Sequence, residues 1–181
     1  IFLVIIILRL KNFIDMYFFL VGPAGSGKST IGKKFNRLKF FKYIEGDKFH
    51  SKKNIKKMTY GKTLTYRDRK PWLSRINYFL RSKKNKRMNY VVSCSALKKS
   101  YRRLLSKKLD NCHFLYLKCS NKELFLRNLK RNHFFPISLL NNQIKTFEYS
   151  KDLVIIKSNT NINKVFLITK KILFGLLNKK S

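Results

Sequence analysis

A three-layer α/β domain, with a five-stranded parallel sheet covered by helices on both faces, is the fold class this sequence predicts. Two observations carry the expectation. Short runs that are apolar on both faces alternate with longer amphipathic ones, and a glycine-rich loop joins the first of each kind. In chain order, "YFFLV" at 17–21 reads as a strand and the amphipathic stretch 29–38 as a helix. The run 41–44 is a second strand, and 71–81, opened by Pro71, a second helix. Strands at 90–94, 113–118 and 153–156 follow, separated by helices at 98–108 and 121–131, and a helix over 162–177 closes the chain. There is no internal repeat and no Pro/Gly/Ser-rich linker, so residues 16–181 read as one domain. The lysine-rich stretch 81–87 reads as a solvated helix end and loop.

Composition bounds the function classes. The chain has 181 residues, 44% of them hydrophobic, enough for a real core. Its 42 Lys and Arg against 8 acids give a net charge of +34, which taken alone suggests a nucleic-acid or anionic-membrane partner. However, Lys, Asn, Ile, Phe and Tyr supply 88 of the 181 residues, and alanine occurs only at Ala24 and Ala96. Those five are residues of AT-rich codons, and the lysines are spread along the chain, so compositional bias is the better account of the charge. Cys94, Cys112 and Cys119 lack a CxxC spacing and read as small buried thiols in a reducing, cytoplasmic compartment. The apolar run 1–8 is shorter than the ~18 residues of a spanning helix and lacks the basic start and small-residue cleavage site of a signal peptide. Residues 1–15 are therefore expected to be an upstream extension, with translation starting at Met16.

The segment "GPAGSGKS", Gly22 to Ser29, fits G-x-x-x-x-G-K-[ST] at every position, with a strand before it and a helix after it. Such a loop turns backbone N–H groups around phosphate oxygens and adds the positive end of a helix. Gly22, Pro23, Ala24, Gly25, Ser26, Gly27, Lys28, Ser29 and Thr30 are thus expected to cradle ATP. Lys28 would reach the β- and γ-phosphates and the Ser29 hydroxyl would hold Mg²⁺. At this length the P-loop NTPase fold is expected in its small-kinase, nucleoside-monophosphate-kinase-like form. The second strand ends in Glu45-Gly46-Asp47, and ligands sit at the carboxyl ends of parallel strands. Asp47 is therefore expected near the loop, orienting an attacking hydroxyl or holding Mg²⁺ through water. Arg127 and Arg131, four apart on an expected helix, share one face and either neutralise a transferring phosphoryl group or form a solvated surface.

Several further segments carry a resemblance. "GDKFH", then "NIKKM" and "DRKPWL", are followed by "VVSCSALKKSYRRLL" and by "LRNLKRNHFFPISLLNNQIKTFE" with its Q-x-x-x-x-E spacing. Together they resemble the gluconate kinases over 16 to about 156. The resemblance implies that His50, Arg69, Lys98 and Arg102 line a pocket for gluconate, supplying cations and donors to its carboxylate and hydroxyls. It also implies a mobile lid at about 126–148 that carries His133 and Phe134, and a homodimer. His50 could equally be a cap or packing residue, and Trp72 reads as core rather than a sugar platform. The chain departs from the family pattern at Ser51, Thr63, Tyr66, Arg67 and Arg103. The function expected is ATP-dependent phosphorylation of D-gluconate, with catalytic roles for Lys28, Asp47, Arg127 and Arg131. The alternatives are another small-molecule kinase, such as a shikimate or nucleoside-monophosphate kinase, a basic P-loop protein that binds nucleic acid, or a kinase that has lost activity.

Overall fold

Strand β1 (Tyr17–Val21) is apolar at all five positions because it lies in the middle of the sheet and both its faces are covered. In the computed structural model, which describes residues 15–84, 87–130 and 136–178, four more strands flank it. They are β2 (Phe41–Glu45), β3 (Asn89–Ser93), β4 (Cys112–Lys118) and β5 (Leu153–Lys157). The order is β2-β3-β1-β4-β5 and every pairing is parallel. The chain therefore leaves β1 to build one side of the sheet and returns past it to build the other. That reversal opens a crevice at the carboxyl ends of the strands.

Seven helices surround the sheet within the described residues: α1 (Lys28–Phe35), α2 (Lys52–Thr59), α3 (Tyr66–Arg81), α4 (Lys99–Ser106), α5 (Asn121–Leu129), α6 (Leu140–Thr146) and α7 (Ile162–Asn178). Alternate residues of β1 feed two cores. Tyr17, Phe19 and Val21 pack with Trp72, Leu73, Ile76 and Leu80 of α3 and with Tyr101 and Leu105 of α4. Phe18 and Leu20 pack with Ile31 and Phe35 of α1 and with Val165 and Leu173 of α7. Rings meet within these layers, Phe19 stacked on Phe114 at 4.8 Å and Phe35 tilted against Phe41 at 5.4 Å. No helix among the described residues is long and apolar enough to cross a membrane.

All five expected strands form, each within one residue of its expected ends. The helices differ more. Helix α3 begins at Tyr66, five residues before Pro71, because Thr65 is its N-cap and closes a capping box with Asp68. Pro71 thus lies inside the helix, at the cost of the N–H bond to the Arg67 carbonyl. Helix α5 ends at Leu129, short of the expected 131. Two helices have no counterpart in the sequence pattern. Helix α2 buries only Asn54 and Met58 among its lysines, and Ser51, a departure from the family pattern, caps it by accepting from Asn54 N at 3.2 Å. Helix α6 is only seven residues long.

The chain's eight acids are deployed sparingly. Asp15 accepts from Met88 N, Asp68 pairs with Lys57 at 2.5 Å, and Asp110 pairs with Lys84 at 3.1 Å. Glu123 pairs with Arg127, Glu148 accepts from Lys99 N at the start of α4, and Asp152 pairs with Arg102. Glu45 and Asp47 stand at the carboxyl end of β2.

Candidate active site

The phosphate loop leaves β1 and enters α1 with Gly22, Gly25 and Gly27 at φ 139°, 81° and 97°. Only glycine takes these values without strain, and Gly25 has a second reason: a Cβ there would stand 2.4 Å from Asn128 Nδ2. The loop is held from outside by side chains of α5 and α6. The Ala24 N–H donates to Gln143 Oε1 at 2.7 Å, and the Ala24 carbonyl accepts from Asn128 Nδ2 at 3.0 Å. Lys28 Nζ donates to the Pro23 carbonyl at 2.7 Å, lying along the loop.

A cavity of about 540 Å³ opens over this loop. Ala24, Gly25, Gly27, Lys28, Ser29 and Thr30 form its floor; Gly22, Pro23 and Ser26 shape the loop from beneath without lining the cavity. Asp47 and His50 form one wall, with Met58, Arg69 and Ser95 beside them. Arg127, Lys130 and Gln143 form the opposite wall, and Thr160 and Ile162 close the far end of the phosphate loop. The structure thus brings Lys28, Ser29, Asp47, His50, Arg69 and Arg127 of the expected residues to one cavity.

Asp47 sits in a 3₁₀ turn (Gly46–Phe49) that begins where β2 stops. The turn is fixed by its neighbours. The Trp72 indole donates to the Gly46 carbonyl at 2.8 Å, and a Cβ on Gly46 would stand 2.2 Å from the Ser93 carbonyl oxygen. Trp72 is fully buried, so it is a core residue that also holds the turn carrying Asp47. Cys94 lies behind this turn; burial, with the Asp47 carboxylate nearby, pushes its thiol up to about 12, so it stays protonated and packs as a small apolar residue.

His50 stacks on Trp72 with ring centroids 4.0 Å apart. Burial, with the Arg69 and Arg75 guanidiniums facing it, lowers its pKa from 6.5 to about 3. His50 is therefore a neutral hydrogen-bonding group near pH 7, one of the donors rather than one of the cations of the expected set, and it also packs on Trp72. Because the unfolded imidazole takes a proton below 6.5 and the folded one does not until about 3, the fold loses stability as pH falls through that window. The loss is about 1.4 kcal/mol per pH unit. Melting curves between pH 7 and pH 5 should accordingly show a steeper loss for the wild type than for His50→Gln, by about 2 kcal/mol.

Arg69 is buried, donates Nε to the Leu64 carbonyl at 3.3 Å and stands 5.8 Å above the Tyr101 ring. It is a buried cation that lines the cavity. Two other expected cations do not line it. Arg102 is 1% exposed, and its guanidinium donates to the carbonyls of Ala96, Leu97 and Glu148, to Ser150 Oγ and to Asp152. All five donors are directed into the protein, so Arg102 ties α4 to the segment 148–152 and does not line the cavity. Lys98 is the N-cap residue of α4, half-buried and away from the cavity wall.

Arg127 donates to Glu123 at 2.8 Å, to the Ser158 carbonyl at 2.9 Å and to the Gly25 carbonyl at 3.4 Å. These bonds aim its guanidinium at the phosphate loop rather than at solvent. Arg131, His133 and Phe134 lie outside the described residues. The segment expected to move as a lid contains two elements bonded to the phosphate loop, Asn128 of α5 and Gln143 of α6. Leu140 is fully buried beside Ala24 and Leu124.

Gln143, Asn128 and Glu45 are the site residues that sequence reasoning passed over. The Q-x-x-x-x-E spacing was the available signal for Gln143, which bonds the loop, and for Glu148, which accepts from Lys99 N at 2.8 Å. Glu45 shared its strand end with Asp47. Burial alone would raise its pKa, but side-chain hydrogen bonds from Ser93, Tyr43 and Ser29 outweigh that and hold it below the usual carboxylate range.

Comparison with known proteins agrees with this geometry. The shikimate kinase family profile matches residues 24–169. The thermosensitive gluconokinase of Escherichia coli K12 is 39% identical over 153 residues, covering 82% of this chain and 82% of that protein. The crystal structure of a gluconokinase from Sinorhizobium meliloti 1021 superposes with a TM-score of 0.75 at 35% identity, over 92% of this chain and 94% of that one. An unliganded sugar kinase from Janibacter sp. HTCC2649 gives a TM-score of 0.82 at 29% identity, over 88% and 94% of the two chains. A shared phosphate loop alone would not produce likeness over so much of both chains, and this chain belongs to the gluconokinase family, built on a shikimate-kinase-type domain.

Proposed function

We propose that the protein transfers the γ-phosphoryl group of ATP to the terminal hydroxyl of D-gluconate, giving 6-phosphogluconate. The observation that carries this reading is the placement of Asp47, at the end of β2, in the same cavity as Lys28 and Ser29 on one side and Arg69 on the other. An acceptor carboxylate needs a buried cation, which Arg69 offers, and a reacting hydroxyl needs a nearby base, which Asp47 offers. Neutral His50 adds a donor or acceptor for a polyol hydroxyl.

The loop amides and the start of α1 bind the phosphates, and Lys28 and Arg127 offset charge as it shifts towards the leaving oxygen. Among the described residues no group of three or more His, Cys, Asp or Glu side chains is placed to hold a metal. A cation here would be held by the Ser29 hydroxyl and Asp47, one hydroxyl and one carboxylate, with the phosphates completing its shell. That donor set suits Mg²⁺, which would neutralise phosphate charge when bound. Asp47 orients the acceptor hydroxyl and takes its proton. The expected lid residues Arg131 and His133 would complete charge stabilisation and acceptor binding from the segment that follows α5. Three cysteines outside any disulfide among the described residues fit a reducing cytoplasm, and the family reading adds a homodimer, which sedimentation would test.

The test is ADP release by the full chain with Mg²⁺-ATP and, in parallel, gluconate, shikimate or nucleoside monophosphates. Turnover with gluconate at least about 100-fold above the others is expected. Comparable turnover with shikimate or a nucleotide would replace gluconate as the substrate.

A further inference from the structure

Tyr43, the third residue of β2, lies against α1 through a contact that leaves no room for a side chain on the helix. A Cβ on Gly32 would stand 2.1 Å from Tyr43 Cε2 and 2.3 Å from Cδ2. Gly32 is one turn beyond Ser29, so the ring fixes the distance between β2 and the helix turn that carries Ser29. The phenol oxygen then stands 2.6 Å from Glu45 Oε2 and 2.8 Å from Ser93 Oγ, and Ser93 Oγ donates to Glu45 Oε1. A carboxylate bonded at both oxygens by groups on two adjacent strands cannot turn. The Ser29 hydroxyl lies near enough to both groups to help hold the carboxylate's pKa down and to oppose the rise of the phenol's. A serine hydroxyl that donates its proton to a fixed carboxylate presents its lone pairs the other way, which is the arrangement a hard cation requires.

We infer that Tyr43 is a positioning residue: wedged on Gly32, its phenol locks the Glu45 carboxylate behind Ser29 and so aims the Ser29 hydroxyl at the metal-bound phosphates. The inference rests on the reading of the cavity as a metal–nucleotide site. Tyr43 does not line the cavity and touches neither substrate. Its effect therefore belongs to metal-dependent nucleotide binding and to turnover, not to acceptor affinity.

The experiment compares ATP affinity by calorimetry in Mg²⁺ and in EDTA, for the wild-type chain and for Tyr43→Phe. The phenylalanine keeps the ring on Gly32 and removes only the hydroxyl. In the wild type, Mg²⁺ should tighten ATP binding. In Tyr43→Phe that enhancement should fall about fivefold or more, with metal-free ATP affinity and the gluconate KM within twofold of wild type and kcat lowered. Ser93→Ala, which withdraws the other donor, should change the same quantity in the same direction. An unchanged enhancement in Tyr43→Phe, whether or not its melting temperature falls, would reduce Tyr43 to a packing residue. A wild type whose ATP affinity is indifferent to Mg²⁺ would overturn the metal–nucleotide reading and this inference with it.

Discussion

Asp47→Asn is expected to lower gluconate turnover by about a thousandfold while metal-free ATP affinity stays within about twofold. The substitution is nearly isosteric, so the turn fixed by Trp72 and by the Ser93 carbonyl keeps its shape. What is lost is a base at the end of β2 and one negative charge facing the phosphate loop. The loop amides, Lys28 and the start of α1 are untouched, which is why nucleotide binding should survive. ADP release measures the first quantity and calorimetry the second. Turnover within tenfold of wild type would remove Asp47 from proton transfer and leave positioning by the loop as the main source of catalysis.

Arg102→Met should have the largest effect on stability, about 3–5 kcal/mol, with little effect on the gluconate KM of the protein that remains folded. Methionine has a similar stem but no donors. The buried carbonyls of Ala96 and Leu97 would then lose their bonds where water scarcely reaches, the Glu148 carbonyl would lose its donor, and the exposed Asp152 its cation. Denaturant titration gives the loss and an acceptor titration gives KM. A normal midpoint with a tenfold higher KM would return Arg102 to the acceptor site. The expected result separates it from Arg69, which shares its burial but lines the cavity.

These two arginines show where the sequence was readable and where it was not. The loop, its helix and Asp47 lie in one stretch whose spacing carries its own geometry, and the strands reveal themselves because both of their faces are apolar. An arginine following a strand looks the same in sequence whether it enters a cavity or folds beneath a helix; Arg102 does the second because Glu148, Ser150 and Asp152, far along the chain, receive it. Helix α2 escaped notice because its buried face is only Asn54 and Met58, too little for a periodic signal. The contact of Tyr43 with Gly32 depends on a strand and a helix meeting at one point, which no local pattern encodes. The charge state of His50 was open in the sequence because its burial and the two arginines facing it are properties of the fold.

The disposition of the acids has a physical cost beyond the site. Seven of the eight are tied to a backbone amide, a neighbouring hydroxyl or a cation, and the eighth, Asp47, faces the cavity, so none remains as a general counterweight to a net charge of +34. The surface must take its negative charge from solution. For this protein the ion atmosphere behaves as a diffuse ligand of the folded state, since the compact form crowds like charges that the unfolded chain spreads apart. Phosphate-bearing metabolites join that atmosphere as readily as simple salts do, so anions would gather around the molecule before any of them reached the phosphate loop.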